Sequence, residues 1–169
     1  EGEIAPSGIN FCKYVFVSCW TENAEENIPL WKMYGGDSGG IRIGLDKDMF
    51  KKYGIVDENG EPTPPKTFAE VREYAKKMTN LKEQDYGIIL PMKWGSFVNV
   101  DVQQLSMSSA GTLTYNPVKG EYDFSVLKPV YEMYMGIKED GSYFPGPEAL
   151  DNDTARAYFA ERNIGMKFA

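Results

Sequence analysis

The chain contains no histidine, which removes Ser-His-Asp and Cys-His nucleophiles and histidine-based zinc sites together. Any chemistry must rest on carboxylates, lysine, tyrosine or the two cysteines. Cys12 and Cys19 lie in FCKYVFVSCW with no adjacent arginine or histidine to activate a thiolate. Glu22, Glu25 and Glu26 sit at a strand end, where a carboxylate pair would suit acid-base work; clustered acids in a polar loop are more often simply solvated. GGDSGG, at 35–40, has glycines enough to cradle a phosphate, yet lacks the Lys-Ser or Lys-Thr and the G-x-G-x-x-G spacing such a loop needs. Asp151 and Asp153 offer oxygen ligands, but D-N-D-T has neither the glycine nor the distal glutamate of a calcium loop, and helix capping explains it. The aromatics Tyr143 and Phe144, with Pro145, read as closure of a loop between helices. The remaining candidate is Trp94 in PMKWGSF, with Ser96, Phe97 and Asn99 beside it. A flat indole with hydroxyl and amide groups nearby can face a ligand, or it can pack beneath the helix that follows.

These residues need elements to hold them. KYVFVSC, Lys13 to Cys19, is β-branched and aromatic enough for a strand. Its seven residues hold the cysteines about 23 Å apart at ~3.3 Å each, so a disulfide within the strand is excluded. IPLWKMY, Ile28 to Tyr34, has helical spacing with Pro29 in the first turn, and Gly40 to Leu45 alternates as a short strand with Ile41, Ile43 and Leu45 on one face. Asp46 caps a helix closed by Gly54, and VDENGEPTPPK follows as a Pro-rich connector. Thr67 and Glu70 make the capping box of the next helix, whose Phe68, Val71, Ala75 and Met78 form an apolar stripe to about Met78.

Tyr86 to Leu90 is a strand closed by Pro91, so the Trp94 loop leaves a strand's carboxyl end, where ligands of open α/β sheets usually sit. Ser96 to Ala110 reads as helix, and TLTYNPVKGEYDF as a hairpin around Pro117 and Gly120. Leu127, Val130, Tyr131, Tyr134 and Ile137 mark another amphipathic helix with Pro129 near its start. Asp153 is expected to cap a last helix through Arg162, before the strand Ile164 to Phe168. The class is α/β.

With 169 residues, 42% hydrophobic and 25% charged, the chain can bury a core of one ordinary domain or two small ones. Net charge is −7, with 25 acids against 18 bases, and no basic run offsets it. A phosphate-tracking nucleic-acid surface is therefore not expected. No stretch approaches the ~18 apolar residues of a membrane span. The absence of an initiator methionine and of a signal peptide suggests mature or excised material.

From about Leu45 onward the chain resembles the middle of an ABC-importer solute-binding protein of the carbohydrate type. Four pieces carry the likeness, in that family's order: DKDMFKKYGI with PPKTFAEVREYAKKMT, then YGIILP, then DFSVLKPVYEMYMGIKEDGSYFPG, and DNDTARAYFAERNIGMKFA. The resemblance implies a partial periplasmic-binding-protein-like clamshell lobe over 46–169, whose last helix feeds a strand returning toward an interlobe hinge. It implies a non-enzymatic module that takes a small solute, a sugar or oligosaccharide, with Trp94 stacking on a pyranose ring and Ser96, Phe97 and Asn99 around it. No cofactor or metal is implied. The intact relative would be an extracellular, membrane-anchored lipoprotein that delivers its solute to an importer permease. Half a clamshell has half a cleft, so weak affinity is expected.

Residues 1–45 do not fit that family. FVSCWTENAEENIPLWKMYGGDSGGIRIGL is similar to a bacterial domain of unknown function marked by SCW, IPLW-x-MY and G-[IV]-R-I-G. This implies a short α/β head of different origin. Its free thiols suit a reducing, cytoplasmic compartment. The two likenesses meet between Asp46 and Phe50, which implies a chimera, whether by design, by fragmented sequence assembly or by mosaic modelling. The alternatives to solute binding are a cytoplasmic bacterial protein defined by the head, or a chimera without a selected function.

Overall fold

A computed structural model describes residues 43–93, 98–110, 114–116 and 118–168. The strand expected at Lys13 to Cys19, the helix at Ile28 to Tyr34, the two cysteines, Glu22, Glu25, Glu26 and the glycine turn all lie outside the described residues.

Three strands make the main sheet: β1 (Ile43–Leu45), β2 (Tyr86–Ile89) and β5 (Ile164–Phe168), in the order β1-β5-β2. β5 runs antiparallel to β1, with Ile43 opposite Phe168 and Leu45 opposite Met166. It runs parallel to β2, with Tyr86 beside Ile164 and Ile88 beside Met166. A central strand covered on both faces should be continuously buried, and all five residues of β5 are. β1 comprises the last residues of the segment read as a head, yet it is hydrogen-bonded to the last strand of the chain. Ile43 and Leu45 both pack on the core, as their alternation requires.

Helix α1 (Lys47–Lys52) starts where expected: the Asp46 carboxylate accepts from the amides of Asp48 and Met49 at 2.9 and 3.0 Å. Helix α2 (Phe68–Met78) opens on the full capping box, with Thr67 Oγ1 accepting from Glu70 N at 3.1 Å and the Glu70 carboxylate accepting from Thr67 N at 3.2 Å. Val71, Ala75 and Met78 are buried and Phe68 packs at the margin. This helix lies unusually close to β2. A Cβ on Gly87 would collide with the Ala75 carbonyl, so only glycine fits there. Thr79 Oγ1 ties the same contact, donating to Ala75 O at 2.8 Å and accepting from Gly87 N at 3.1 Å.

Beyond β2 comes a π-helix (Val98–Gln104) that passes into α3 (Leu105–Ala110). The sequence pattern predicts ordinary helix over this stretch; the structure instead winds its first part more widely. Val102, Leu105 and Ser106, three and four residues apart, face inward together, and Ser106 Oγ donates to Val102 O at 2.6 Å. The hairpin is present as β3 (Tyr115–Asn116) and β4 (Glu121–Tyr122), turning at Gly120, whose φ is +67°.

A single 3-10 turn (Ser125–Leu127) leads into α4 (Lys128–Asp140), which has Pro129 in its first turn and Gly141 at φ +63° as its stop. Val130, Met133, Tyr134 and Ile137 form its buried face, whereas Tyr131, expected on that face, is 46% exposed. Residue 133 takes the inward position, because 130, 133, 134 and 137 fall on one side of a 3.6-residue turn. Arg72 of α2 donates from Nε to Asp140 of α4 at 2.7 Å, and Lys76 joins the pair at 3.2 Å. The Arg72 hydrogen bond, with Lys76 helping, holds the Asp140 carboxyl at about 2. The side chain of Arg72 passes over Gly136, where a Cβ would strike it.

Helix α5 (Asn152–Glu161) corrects one expectation. Its cap is Asp151, which has extended backbone and accepts from Thr154 N at 2.8 Å. Asp153 lies inside the first turn, where helical backbone prevents capping, and its carboxylate faces Arg156 at 3.6 Å. Successive residues of β2 serve opposite faces. Ile88 joins the larger core with Phe50, Val71, Met78, Val130 and Ile137, and Ile89 joins Phe144, Leu150, Ala155 and Ile164.

Thr67 holds α2 through its hydroxyl, so Thr67→Ala should cost about 1 kcal/mol of stability, read as a lower midpoint in urea denaturation; an unchanged midpoint would remove the cap's energetic role.

Candidate functional site

In an open α/β sheet the ligand face lies beyond the carboxyl ends of the parallel strands. Here those are the ends of β2 and β5. After β2, Pro91 stops the strand and the chain is pinned to the turn ahead of α5, with Met92 N donating to Pro147 O and Lys93 N to Leu150 O, both at 3.0 Å. Trp94, Ser96 and Phe97 follow immediately and lie outside the described residues. Asn99 belongs to the π-helix, and its side chain too is outside the described residues. In the sequence, then, three of the four expected contacts lie between the end of β2 and the π-helix, and Asn99 is the second residue of that helix.

At the same edge β5 ends in Lys167 and Phe168. Lys167 is 2% exposed in a strand otherwise made of apolar residues and glycine. Its ammonium donates to Asn152 Oδ1 at 3.1 Å and to the Phe168 carbonyl at 2.6 Å. Burial, reinforced by the charge of Arg156, lowers the lysine to about 8, and the Asp101 carboxylate in the π-helix pulls the other way. Phe168 meets Tyr134 edge-on at 6.3 Å between ring centroids. Burial pushes the Tyr134 phenol up strongly, and Asp101 adds to it. Asp101, Tyr134 and Lys167 thus share one electrostatic neighbourhood joining the π-helix, α4 and β5. The Asp151 carboxyl, at the head of α5, is held below its ordinary value by the Thr154 hydroxyl and amide, with a smaller contribution from Lys93.

The topology of this edge is also informative. Because β1 is antiparallel to β5, the chain enters β1 at Ile43 directly opposite the place where β5 ends at Phe168. The start of β1 and the end of β5 therefore lie side by side, with Ile43 and Phe168 both packed on the larger core.

The opposite edge is built for holding. Asp85 is fully buried just before β2 and accepts from Lys52 Nζ and Tyr53 OH, both at 2.5 Å, and from Asn163 Nδ2 at 2.9 Å. Burial alone would raise its pKa, but the three hydrogen bonds together outweigh it and hold the carboxyl low. Tyr143 and Phe144, read from sequence as loop closure, behave so. Phe144 is 9% exposed, packs on Tyr86 and Tyr158, and lies with Tyr158 beneath the Arg162 guanidinium. Among the described residues there is no group of three acids or cysteines able to hold a metal ion, and no helix long and apolar enough to cross a membrane.

Lys167, Asp101 and Asp85 were missed in the sequence. IGMKF carries a signal for the first: a lone lysine amid residues that read as a buried strand must find partners for its charge. The other two partnerships are long-range and leave no local pattern.

No family model matches the chain, and no curated protein matches it. Solved structures do. An ABC transporter solute-binding protein from Agrobacterium vitis S4, with bound D-mannitol, superposes at a TM-score of 0.57 and 20% identity, over 76% of this chain and 30% of that one. A sugar transporter from Arthrobacter chlorophenolicus A6, with bound laminaribiose, gives 0.58 and 16% over 76% and 31%. An ABC substrate-binding protein from Listeria monocytogenes, in complex with cycloalternan, gives 0.55 and 17% over 85% and 37%. The fold is that of part of a solute-binding-protein lobe. The chain spans about a third of the length of these structures. Nothing in the likeness points to the domain of unknown function or to a chimera.

The lysine gives a pH test. Its folded pKa of about 8 lies below the ordinary 10.5, so between those values the unfolded chain binds a proton that the native state has released, and stability rises with pH. Relative to Lys167→Met, the wild type should gain unfolding free energy between pH 8 and 10.5 in parallel urea titrations. A difference that stays constant with pH would show that Lys167 is not buried as described.

Proposed function

We propose that this chain is a carbohydrate-binding segment of a solute-binding protein, working by capture and release without catalysis. The observation that carries the proposal is the common fold with three proteins whose structures hold mannitol, laminaribiose and cycloalternan. The carboxyl edge of β2 and β5 is the binding face, with Trp94 as the stacking platform and Ser96, Phe97 and Asn99 as its neighbours. An indole face accepts the apolar face of a pyranose, and hydroxyl and amide groups around it take the sugar hydroxyls. The side-by-side ends of β1 and β5 at that edge suit a connection to a second lobe, which would close over the sugar. The whole protein is then an extracellular lipoprotein that hands its solute to an importer permease.

One lobe supplies only part of the contacts, so affinity should be weak, on the order of 1 mM. Isothermal titration of the chain with D-mannitol, laminaribiose and cycloalternan should give saturable heat with at least one of them. Trp94→Ala should weaken that binding at least about tenfold. A folded sample that gives no heat with all three, or a Trp94→Ala variant that binds as the wild type does, would contradict the proposal.

A further inference from the structure

We propose that the aromatic face of the β3–β4 hairpin is a second stacking surface, which extends the carbohydrate site toward longer oligosaccharides. The inference rests on the carbohydrate reading of the carboxyl edge and adds to it the length of the ligand.

Tyr115 and Tyr122 are direct partners in the hairpin ladder, so their side chains share a face. One further hydrogen bond extends the pairing past Tyr122, from Asp123 N to Thr114 O at 2.7 Å. Phe124, where the backbone turns helical, lays its ring against that of Tyr122. The rings are contiguous: Tyr115 and Tyr122 are 4.9 Å apart between centroids, and Tyr122 and Phe124 are 5.5 Å apart and nearly parallel, at 7°. They are also open, at 41%, 67% and 59% exposure. Three large aromatics in sequence-alternating positions would ordinarily be spent on a core; this hairpin turns them outward.

Their position and area indicate the occupant. Tyr134 of α4 meets Phe168 at the carboxyl end of β5, while Asp140, six residues later, meets Arg72 and Lys76. Lys76 lies beside Ala75, the residue that α2 presses onto Gly87 of β2. Helix α4 therefore runs away from the carboxyl edge, so its first turn, which the hairpin precedes in sequence, is at the end nearer that edge. At roughly 300 Å² of exposed ring surface, the patch is far below the ~800 Å² per partner of a stable protein interface. It matches a short stretch of saccharide, whose apolar ring faces stack on aromatics.

The test is titration of the full chain with laminaribiose and laminarihexaose. The wild type should bind the hexasaccharide about tenfold more tightly than the disaccharide. A Tyr122→Ala/Phe124→Ala double variant, checked for fold by circular dichroism, should lose that gain and keep its laminaribiose affinity. Acetylation of tyrosine by N-acetylimidazole on the unmutated chain gives an independent readout: the hexasaccharide should protect Tyr122 and the disaccharide should not. Equal affinity for both sugars in the wild type, a gain that survives in the double variant, or Tyr122 acetylated equally under both would overturn the inference and leave the edge site standing. Absence of binding to either sugar would overturn the carbohydrate reading and this inference with it.

Discussion

The fold depends on β5 being inserted between β1 and β2. Without it, neither flanking strand has a partner in the main sheet, because the order is β1-β5-β2. The insertion is made by residues from the end of the chain onto partners more than seventy residues earlier, a loop-closure cost that local structure must offset. Burial of all five β5 residues between two apolar clusters supplies the offset. Glycine at 165 is part of the fit, since a side chain there would meet the end of Met78.

Two kinds of polar device divide the sheet's ends between them. At the amino end of β2, the buried Asp85 gathers the more exposed Lys52, Tyr53 and Asn163 around its carboxylate, the arrangement under which a buried charge is tolerated. The Arg72–Asp140 pair locks α2 to α4 on one face. At the carboxyl end the buried Lys167 donates to one side-chain amide and one backbone carbonyl, in an environment that disfavours the charge.

Much of this was legible in the sequence wherever the signal was local. Asp46, the Thr67/Glu70 box and Pro129 mark helix starts by chemistry confined to a single turn, and each stands where its pattern put it. The displaced cap of α5 shows the limit: D-N-D offers two carboxylates two residues apart, and the backbone angle that decides between them is set by the preceding turn from Pro147 to Ala149. The π-helical start of the post-β2 helix and the outward Tyr131 were likewise invisible, because both follow from what the helix must pack against. The position of the candidate site followed from one strand and one proline, since a loop after YGIIL and Pro91 is at a strand's carboxyl end whatever the sheet around it. Lys167 and Asp101, which shape the chemistry of that edge, come together only when β5 closes the sheet.

The claim on which the functional account turns is that the carboxyl edge of β2 and β5 is the ligand face. Amide chemical-shift mapping of the ¹⁵N-labelled chain during a laminaribiose titration tests it most directly. The account predicts that the saturable shifts include Met92, Lys93, Asp101, Asn152 and Lys167. Shifts confined to the opposite edge, around Asn80, Asp85 and Asn163, or a spectrum that does not move at all, would contradict it.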